Sequence, residues 1–171
     1  MLFVITGDGK GKTTSALGMV SRALGQGRRC AVIQFVKTGH ERFGEYRTFS
    51  GLGVPWSSWG EGFTWNLDDM DRSKELCRQG WEEFKEKASS SEFFMIVLDE
   101  FTYVLDMGLL DEEEVLSYLK AHVGSEGFPH VVITGRGASD RLIGLADTVS
   151  EISNVKHHYQ SGVKAAPGIE F

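Results

Sequence analysis

The sequence contains few of the residues that mark secreted or membrane-embedded proteins. It has two cysteines and three prolines, and its apolar runs are far shorter than the roughly 18 residues that a membrane-spanning helix requires. Cys30 and Cys77 lie far apart and lack metal-ligand spacing, so we expect packed, free thiols. No signal peptide is evident. These absences favour a cytoplasmic protein that has no membrane partner.

Positive charge is also scarce. The chain carries 18 Lys and Arg against 24 Asp and Glu, which gives a net charge of −6. Nonspecific nucleic-acid binding depends on neutralising phosphates with basic residues, so we expect no nucleic-acid partner, and any anion site must be local. With 171 residues, of which 41% are hydrophobic, the chain is long enough for one domain spanning residues 1–171.

A glycine-rich segment directly follows the apolar run Leu2–Ile5. A strand, a glycine loop, Lys-Thr and a helix together form a site for a nucleoside triphosphate, because glycines let backbone N–H groups approach phosphate oxygens. The general pattern G-x-x-x-x-G-K-[ST] would require glycine where Thr6 stands, so this loop is one residue shorter. The alternative is a glycine-rich turn with a chance Gly-Lys-Thr. The residues predicted to bind the nucleotide are Gly7, Asp8, Gly9, Lys10, Gly11, Lys12, Thr13 and Thr14.

Strand-like and helix-like segments alternate along the chain. This order predicts an α/β fold, a single RecA-like P-loop domain with a mostly parallel central sheet flanked by helices. Strands are predicted at residues 2–6, 30–36, 94–98, 130–134 and 147–152, with a further short strand near 54–58. Helices are predicted at residues 12–24, from Asp68 or Asp69 to 88, from Asp111 onward and at 139–146. Residues 37–67 otherwise read as irregular, and the tail from residue 154 as polar and turn-rich.

An acidic pair ends the third strong strand. Four apolar residues followed by Asp99-Glu100 form a Walker B pattern, in which the aspartate holds Mg²⁺, directly or through water, beside the phosphate-loop Thr13. We therefore predict Mg²⁺ as the cofactor, with Thr13, Asp99 and Glu100 as the metal site. Glu100 is open to three roles: hydrolytic base, second metal ligand or neighbour. The alternative is two acids that satisfy a helix N-terminus.

Arg136 follows the strand at residues 130–134 and is predicted to contact nucleotide phosphate or to orient the site. The alternative is a surface arginine paired with Asp140 or Glu100. His157 and His158 resemble metal ligands in isolation, but no third ligand has suitable spacing, so the tail surface or a dimer contact is the better interpretation.

An aromatic segment, Gly60-Glu61-Gly62-Phe63-Thr64-Trp65, lies in the irregular region. Phe63 and Trp65 are two residues apart and would point the same way in an extended chain. They either anchor the loop in the core or form an apolar wall for a large planar ligand. Phosphate binding itself leaves a hydrolase, a kinase and a transferase open.

These segments together resemble the P-loop ATP:corrinoid adenosyltransferases over nearly the whole chain. The shortened phosphate loop is that family's own form, although the family usually has Asn where Asp8 stands, and the role of Asp8 stays open. Family members can carry an N-terminal extension that helps cover the corrinoid, whereas this sequence begins at its first predicted strand. The segments that carry the resemblance are Thr6–Thr14, Val32–Lys37, Gly62–Trp65, Val97–Tyr103, Ile133–Gly137, Ala146–Glu151, Val155–His158, Gly162–Ala165 and Gly168–Phe171.

The resemblance implies that Co(I) of a reduced corrinoid attacks the ribose C5′ of ATP and that triphosphate leaves. It implies catalytic roles for Lys12, Thr13 and Glu100, and corrinoid binding by Phe63 and Trp65, which would exclude the lower axial ligand of Co(II). A flavoprotein or reduced flavin would supply the electron, and the protein would be a homodimer. The alternative function is a P-loop ATPase or switch module that hydrolyses ATP to regulate a partner.

Overall fold

A computed structural model describes residues 1–37, 39–61 and 70–170 of the chain. Within these residues there are six strands and six α-helices, with at least one helix between each strand and the next, as the sequence predicts for an α/β fold. The strands are β1 (Leu2–Thr6), β2 (Cys30–Phe35), β3 (Trp56–Trp59), β4 (Met95–Asp99), β5 (His130–Thr134) and β6 (Thr148–Glu151). The helices are α1 (Lys12–Gly25), α2 (Gly44–Gly51), α3 (Met70–Ser89), α4 (Phe101–Asp106), α5 (Glu112–His122) and α6 (Asp140–Leu145).

The strands form one parallel sheet in the order β3-β2-β4-β5-β1-β6. Because all strands run the same way, their carboxyl ends lie at one edge, where parallel α/β sheets bind ligands. β5 lies between β1 and β4, so the segments after these three strands are neighbours. This topology brings the glycine loop, the acidic pair and Arg136 together from distant parts of the sequence.

Successive side chains of the strands pack on opposite faces of the sheet, as the two-residue period requires. In β2, Ala31, Ile33 and Phe35 belong to the core under α3, α4 and α5, whereas Cys30 and Val32 belong to the core under α1 and α2. Both sides are therefore covered, which explains why the strand sequences are continuously apolar rather than alternating.

A stack of aromatic rings fills the first of these cores. Trp81 on α3 is 1% exposed, and its ring stacks on Phe84 at 4.9 Å and on Phe101 at 5.5 Å between centroids. The sequence correctly places Trp81 and Phe84 on the inner face of this helix. The predicted cap at Asp68 or Asp69 lies outside the described residues.

Two short helices were not predicted. α2 lies in the region read as irregular, and its sequence buries only Phe49, so it lacks a repeated apolar stripe. α4 begins directly after the acidic pair, with no spacer that would announce a helix. The predicted cap of α5 is confirmed, since the Glu114 N–H donates to Asp111 Oδ1 at 3.2 Å.

The described helices include none that is both long enough and apolar enough to span a membrane. Cys30 and Cys77 are free and buried, as predicted. Burial raises the pKa of Cys30 to about 11 and that of Cys77 to about 12.

Candidate functional site

The glycine loop between β1 and α1 is shaped by the segment that follows β6. The Gly9 N–H donates to the Ile152 carbonyl at 2.7 Å, and a Cβ on Gly9 would lie 2.7 Å from that oxygen. Gly7, at φ 96°, would place a Cβ 2.5 Å from the same oxygen. These glycines therefore serve close backbone packing, a constraint that the sequence pattern does not reveal.

Thr6 occupies the position where the general pattern has glycine. Its side chain is buried, and its Oγ1 accepts a hydrogen bond from the Ala138 N–H at 3.3 Å. The shortened loop is thus tied to the turn after β5 through a side chain that glycine lacks.

Lys12, at the start of α1, is folded back onto the loop. Its Nζ donates to the Gly9 carbonyl at 2.8 Å. Burial lowers the pKa of Lys12, an effect that the Glu100 carboxylate partly offsets and that Arg136 adds to. A partly desolvated ammonium near the helix N-terminus is suited to binding a polyphosphate.

Asp99, at the end of β4, is fully buried and saturated with hydrogen bonds. Its Oδ1 accepts from Thr13 Oγ1 at 2.7 Å and from Thr134 Oγ1 at 2.6 Å, and its Oδ2 accepts from Gln34 Nε2 at 2.9 Å. Asp99 and Thr13 therefore lie side by side and share a direct hydrogen bond, and their role in holding Mg²⁺ stays a prediction. Thr134 and Gln34 are further members of this network, and Gln34 is aligned with Asp99 by the β2–β4 register.

Glu100 occupies the N-cap position of α4 in a left-handed conformation, at φ 59°, and its side chain makes no capping hydrogen bond. Its N–H donates to Thr134 Oγ1 at 3.0 Å, so one threonine orders both acids. The two carboxylate oxygens differ: Oε1 lies 2.9 Å from Lys37 Nζ, whereas Oε2 is buried and has no hydrogen-bond partner among the described residues.

Lys37, two residues beyond β2, was missed as a site residue. Its Nζ lies 3.6 Å from Asp99 Oδ2 as well as close to Glu100. Burial by itself would lower the pKa of Lys37, but the carboxylates of Asp99 and Glu100 raise it above its usual value. The signal available in the sequence was its position at the carboxyl end of a buried strand, beside the acidic pair in a parallel sheet.

Arg136 lies on the turn after β5 and is exposed at the site. Thr102 Oγ1 donates to its carbonyl at 2.5 Å, and Gly135, at φ 137°, is required because a Cβ there would overlap Thr102 Oγ1. Arg136 makes no ion pair with Asp140 or Glu100, both of which are described, and its contact with nucleotide phosphate stays a prediction.

The C-terminal tail closes one side of the site. Glu170 Oε2 lies 2.7 Å from Lys10 Nζ, and Glu170 Oε1 lies 3.1 Å from His158 Nε2. His157 and Ile169 also border the site. Across the described residues, no three His, Cys, Asp or Glu side chains converge in a way that could hold a metal ion.

Together these elements line a cavity of about 730 Å³ that is open to solvent, and its size is typical of small-ligand sites. Asp8 and Lys10 are exposed at its rim, and Thr14 continues its floor onto α1. Phe63 and Trp65 lie outside the described residues. The cavity is bordered by Asp8–Thr14, Leu17, Gly18, Ser21, Lys37, Gly44, Glu45, Phe49, Glu100, Arg136, His157 and Gly168–Glu170.

Comparison with known proteins gives concordant matches over the whole chain. A sequence model of the family described as ATP:corrinoid adenosyltransferase BtuR/CobO/CobP matches residues 1–171. The corrinoid adenosyltransferase of Pseudomonas aeruginosa is 41% identical over 175 residues, covering 100% of this chain and 83% of that protein. The corrinoid adenosyltransferase of Escherichia coli K12 is 39% identical over 174 residues, covering 100% and 85%.

Among solved structures, the KaiC-like protein PH0186 from Pyrococcus horikoshii OT3 has a TM-score of 0.50 at 16% identity, covering 89% of this chain and 71% of that one. At this identity the likeness concerns the fold alone.

Proposed function

This chain belongs to the ATP:corrinoid adenosyltransferase family, and from that membership we propose how its residues perform the reaction. The protein transfers the adenosyl group of ATP to a corrinoid. The cobalt–carbon bond forms at the ribose C5′ as the C5′–O bond breaks, and triphosphate leaves with the electron pair. The observation that carries the proposal is the convergence of Lys12, Thr13 and Glu100 on one cavity, with the buried Asp99 hydrogen-bonded to Thr13 behind it.

Lys12 and Thr13 bind the leaving triphosphate. Because Co(I) is itself a strong nucleophile, the protein does not need a general base, and its task is to hold C5′ in line and to stabilise negative charge on triphosphate. Support comes from the partly buried Lys12 ammonium, the N-terminus of α1 and the exposed Arg136, all at the same cavity.

Thr13, Asp99 and Glu100 would form the Mg²⁺ site beside the nucleotide. Hydroxyl and carboxylate oxygens are the ligands that Mg²⁺ prefers, and the buried Glu100 Oε2 without a partner among the described residues fits such a ligand. Asp99 acts through Thr13, because its own oxygens already accept hydrogen bonds. When bound, Mg²⁺ supplies positive charge that stabilises the leaving triphosphate.

Phe63 and Trp65 form the apolar wall for the corrinoid and exclude the lower axial ligand of Co(II). Support comes from the end of β3 at Trp59, which lies at the same edge of the sheet as the glycine loop. A four-coordinate Co(II) is easier to reduce, so a polar side chain there would slow reduction.

Three further features complete the proposal. A flavoprotein or reduced flavin donates the electron, and the active form is a homodimer, both by analogy with the family. The protein acts in the cytoplasm, which the two free, buried cysteines support, because thiols persist in reducing compartments.

Incubation with ATP and chemically reduced cobalamin tests the function. We expect the spectrum of an adenosyl–cobalt product to appear, and Lys12→Met to lower kcat/KM by about 10- to 150-fold, the equivalent of one charge-assisted hydrogen bond of about 1.5–3 kcal/mol. Release of ADP and orthophosphate with no adenosyl–cobalt product would instead support the ATPase alternative.

A further inference from the structure

Asp99 and Glu100, the two acids at the end of β4, differ in how they contact Lys37 and in their other hydrogen-bond partners. Asp99 has hydrogen-bond donors on both oxygens besides the more distant ammonium, whereas Glu100 has Lys37 on Oε1 and no partner among the described residues on Oε2. A buried carboxylate oxygen that lacks a donor is rare in folded proteins, and a bound cation or water at Glu100 Oε2 would satisfy it. The direction in which Glu100 Oε2 points depends on what holds Oε1, and Lys37 holds Oε1.

The backbone before Lys37 is held in a disfavoured conformation. Val36 has φ 65°, a region that β-branched residues seldom adopt. The Val36 N–H donates to the Trp59 carbonyl at 3.1 Å, and the Lys37 N–H donates to the Phe35 carbonyl at 2.6 Å. Gly60 packs so closely that a Cβ on it would overlap the Val36 backbone. This tight turn carries Lys37 back toward β4, where its side chain is 23% exposed.

We propose that Lys37 is a positioning residue for the metal ion bound with ATP: it holds Glu100 by Oε1 and so presents Oε2 to the cation. The inference rests on the proposed function, because it concerns the cation of the same nucleotide site. While Lys37 holds Oε1, Oε2 would be the oxygen that is available to the cation.

The direction in which metal affinity changes when Lys37 is removed distinguishes a positioning role from a simple charge effect. If Lys37 acted only as a nearby positive charge, removing it would strengthen binding of a dication. If Lys37 positions Glu100, removing it weakens metal binding, as loss of outer-shell partners does, typically by 10- to 100-fold.

The experiment measures the Kd of ATP by calorimetry in the absence of corrinoid, once with saturating Mg²⁺ and once with EDTA. The Kd with EDTA divided by the Kd with Mg²⁺ reports how much the metal contributes to ATP binding. We expect Lys37→Met to reduce this ratio by about 10-fold and Lys37→Arg to restore most of it. If Lys37→Met does not fold, Lys37→Gln, which is also neutral, carries the same test.

Two further variants make the comparison specific. Lys87→Met removes another lysine–glutamate pair, with Glu83 on α3 at 3.3 Å, and should leave the ratio unchanged. Glu100→Gln should lower the ratio, and adding Lys37→Met to it should have little further effect, because positioning acts through Glu100.

An unchanged or increased ratio in Lys37→Met would overturn the proposal, as would additive losses in the double variant. A wild-type ratio near one would also overturn it, because no metal would then contribute to ATP binding. Adenosyl transfer by the wild-type protein is scored separately, so failure of the Lys37 proposal and failure of the proposed function are distinguishable.

Discussion

Replacing Thr134 with valine removes the hydroxyl that ties both acids of the site to β5. Thr134 is fully buried; its Oγ1 donates to Asp99 Oδ1 at 2.6 Å and accepts from the Glu100 N–H at 3.0 Å. Valine has nearly the same shape, so the change leaves the packing intact and deletes two hydrogen bonds. The sheet should remain, and the loss should appear as lower stability.

The expected magnitude follows from the two deleted bonds. A hydrogen bond to a charged acceptor contributes about 1.5–3 kcal/mol, and a buried N–H without a partner costs about 1–3 kcal/mol. Because the losses are not additive, we expect Thr134→Val to lower the free energy of unfolding by about 3 kcal/mol. In a domain of this size that corresponds to a fall in Tm of about 6–12 °C.

Thr102→Val provides the matched control. Thr102 is also buried, but its hydroxyl donates to the carbonyl of Arg136, a neutral acceptor in an exposed residue, where water can replace it. We expect a loss of about 1 kcal/mol. Urea denaturation followed by circular dichroism measures both. Equal losses in the two variants, or a loss below about 1 kcal/mol for Thr134→Val, would refute the account of the acidic network.

Three further predictions concern the loop, the thiols and the aromatic segment. Gly9→Ala should lower stability by about 1–3 kcal/mol in thermal melts, because its Cβ would lie 2.7 Å from carbonyl oxygens of the segment after β6; an unchanged Tm would contradict this packing. Cys30 and Cys77 should react with iodoacetamide at pH 8 only after denaturation. The free energy of unfolding should also fall as the pH rises above 9.0, the ordinary thiol pKa, because burial raises the folded-state pKa values to about 11 and about 12. Rapid labelling of the native protein, or a free energy of unfolding that does not change over this pH range, would argue against their burial. Phe63→Asp and Trp65→Asp should slow adenosylation that starts from Co(II) far more than turnover of preformed Co(I), and equal loss in both assays would rule out the axial-ligand role.

The sheet could be predicted from the sequence because its strands coincide with apolar runs. Residues 2–6, 30–36 and 130–134 have too few polar positions to be anything but buried, and their alternation with helices fixes a parallel arrangement. The weak strand β3 was also found, although its four residues are only half-buried. α2 was missed because one buried Phe49 gives no period to detect.

The site could be predicted only where function follows a local pattern. Lys12, Thr13 and Asp99 belong to such patterns, and the fold brings them together. The role of Lys37 depends on a contact with an acid more than 60 residues away, and that of Glu170 on a contact with the loop across almost the whole chain. Contacts of this kind depend on tertiary structure, and no spacing in the sequence announces them.

The identity of the phosphorus product tests the central claim most directly. ³¹P NMR of a reaction with ATP and chemically reduced cobalamin should show inorganic triphosphate in an amount equal to the adenosyl–cobalt product, because the bond that breaks is C5′–O. Formation of ADP or orthophosphate in place of triphosphate would mean that the glycine loop directs attack at phosphorus, and would contradict the account.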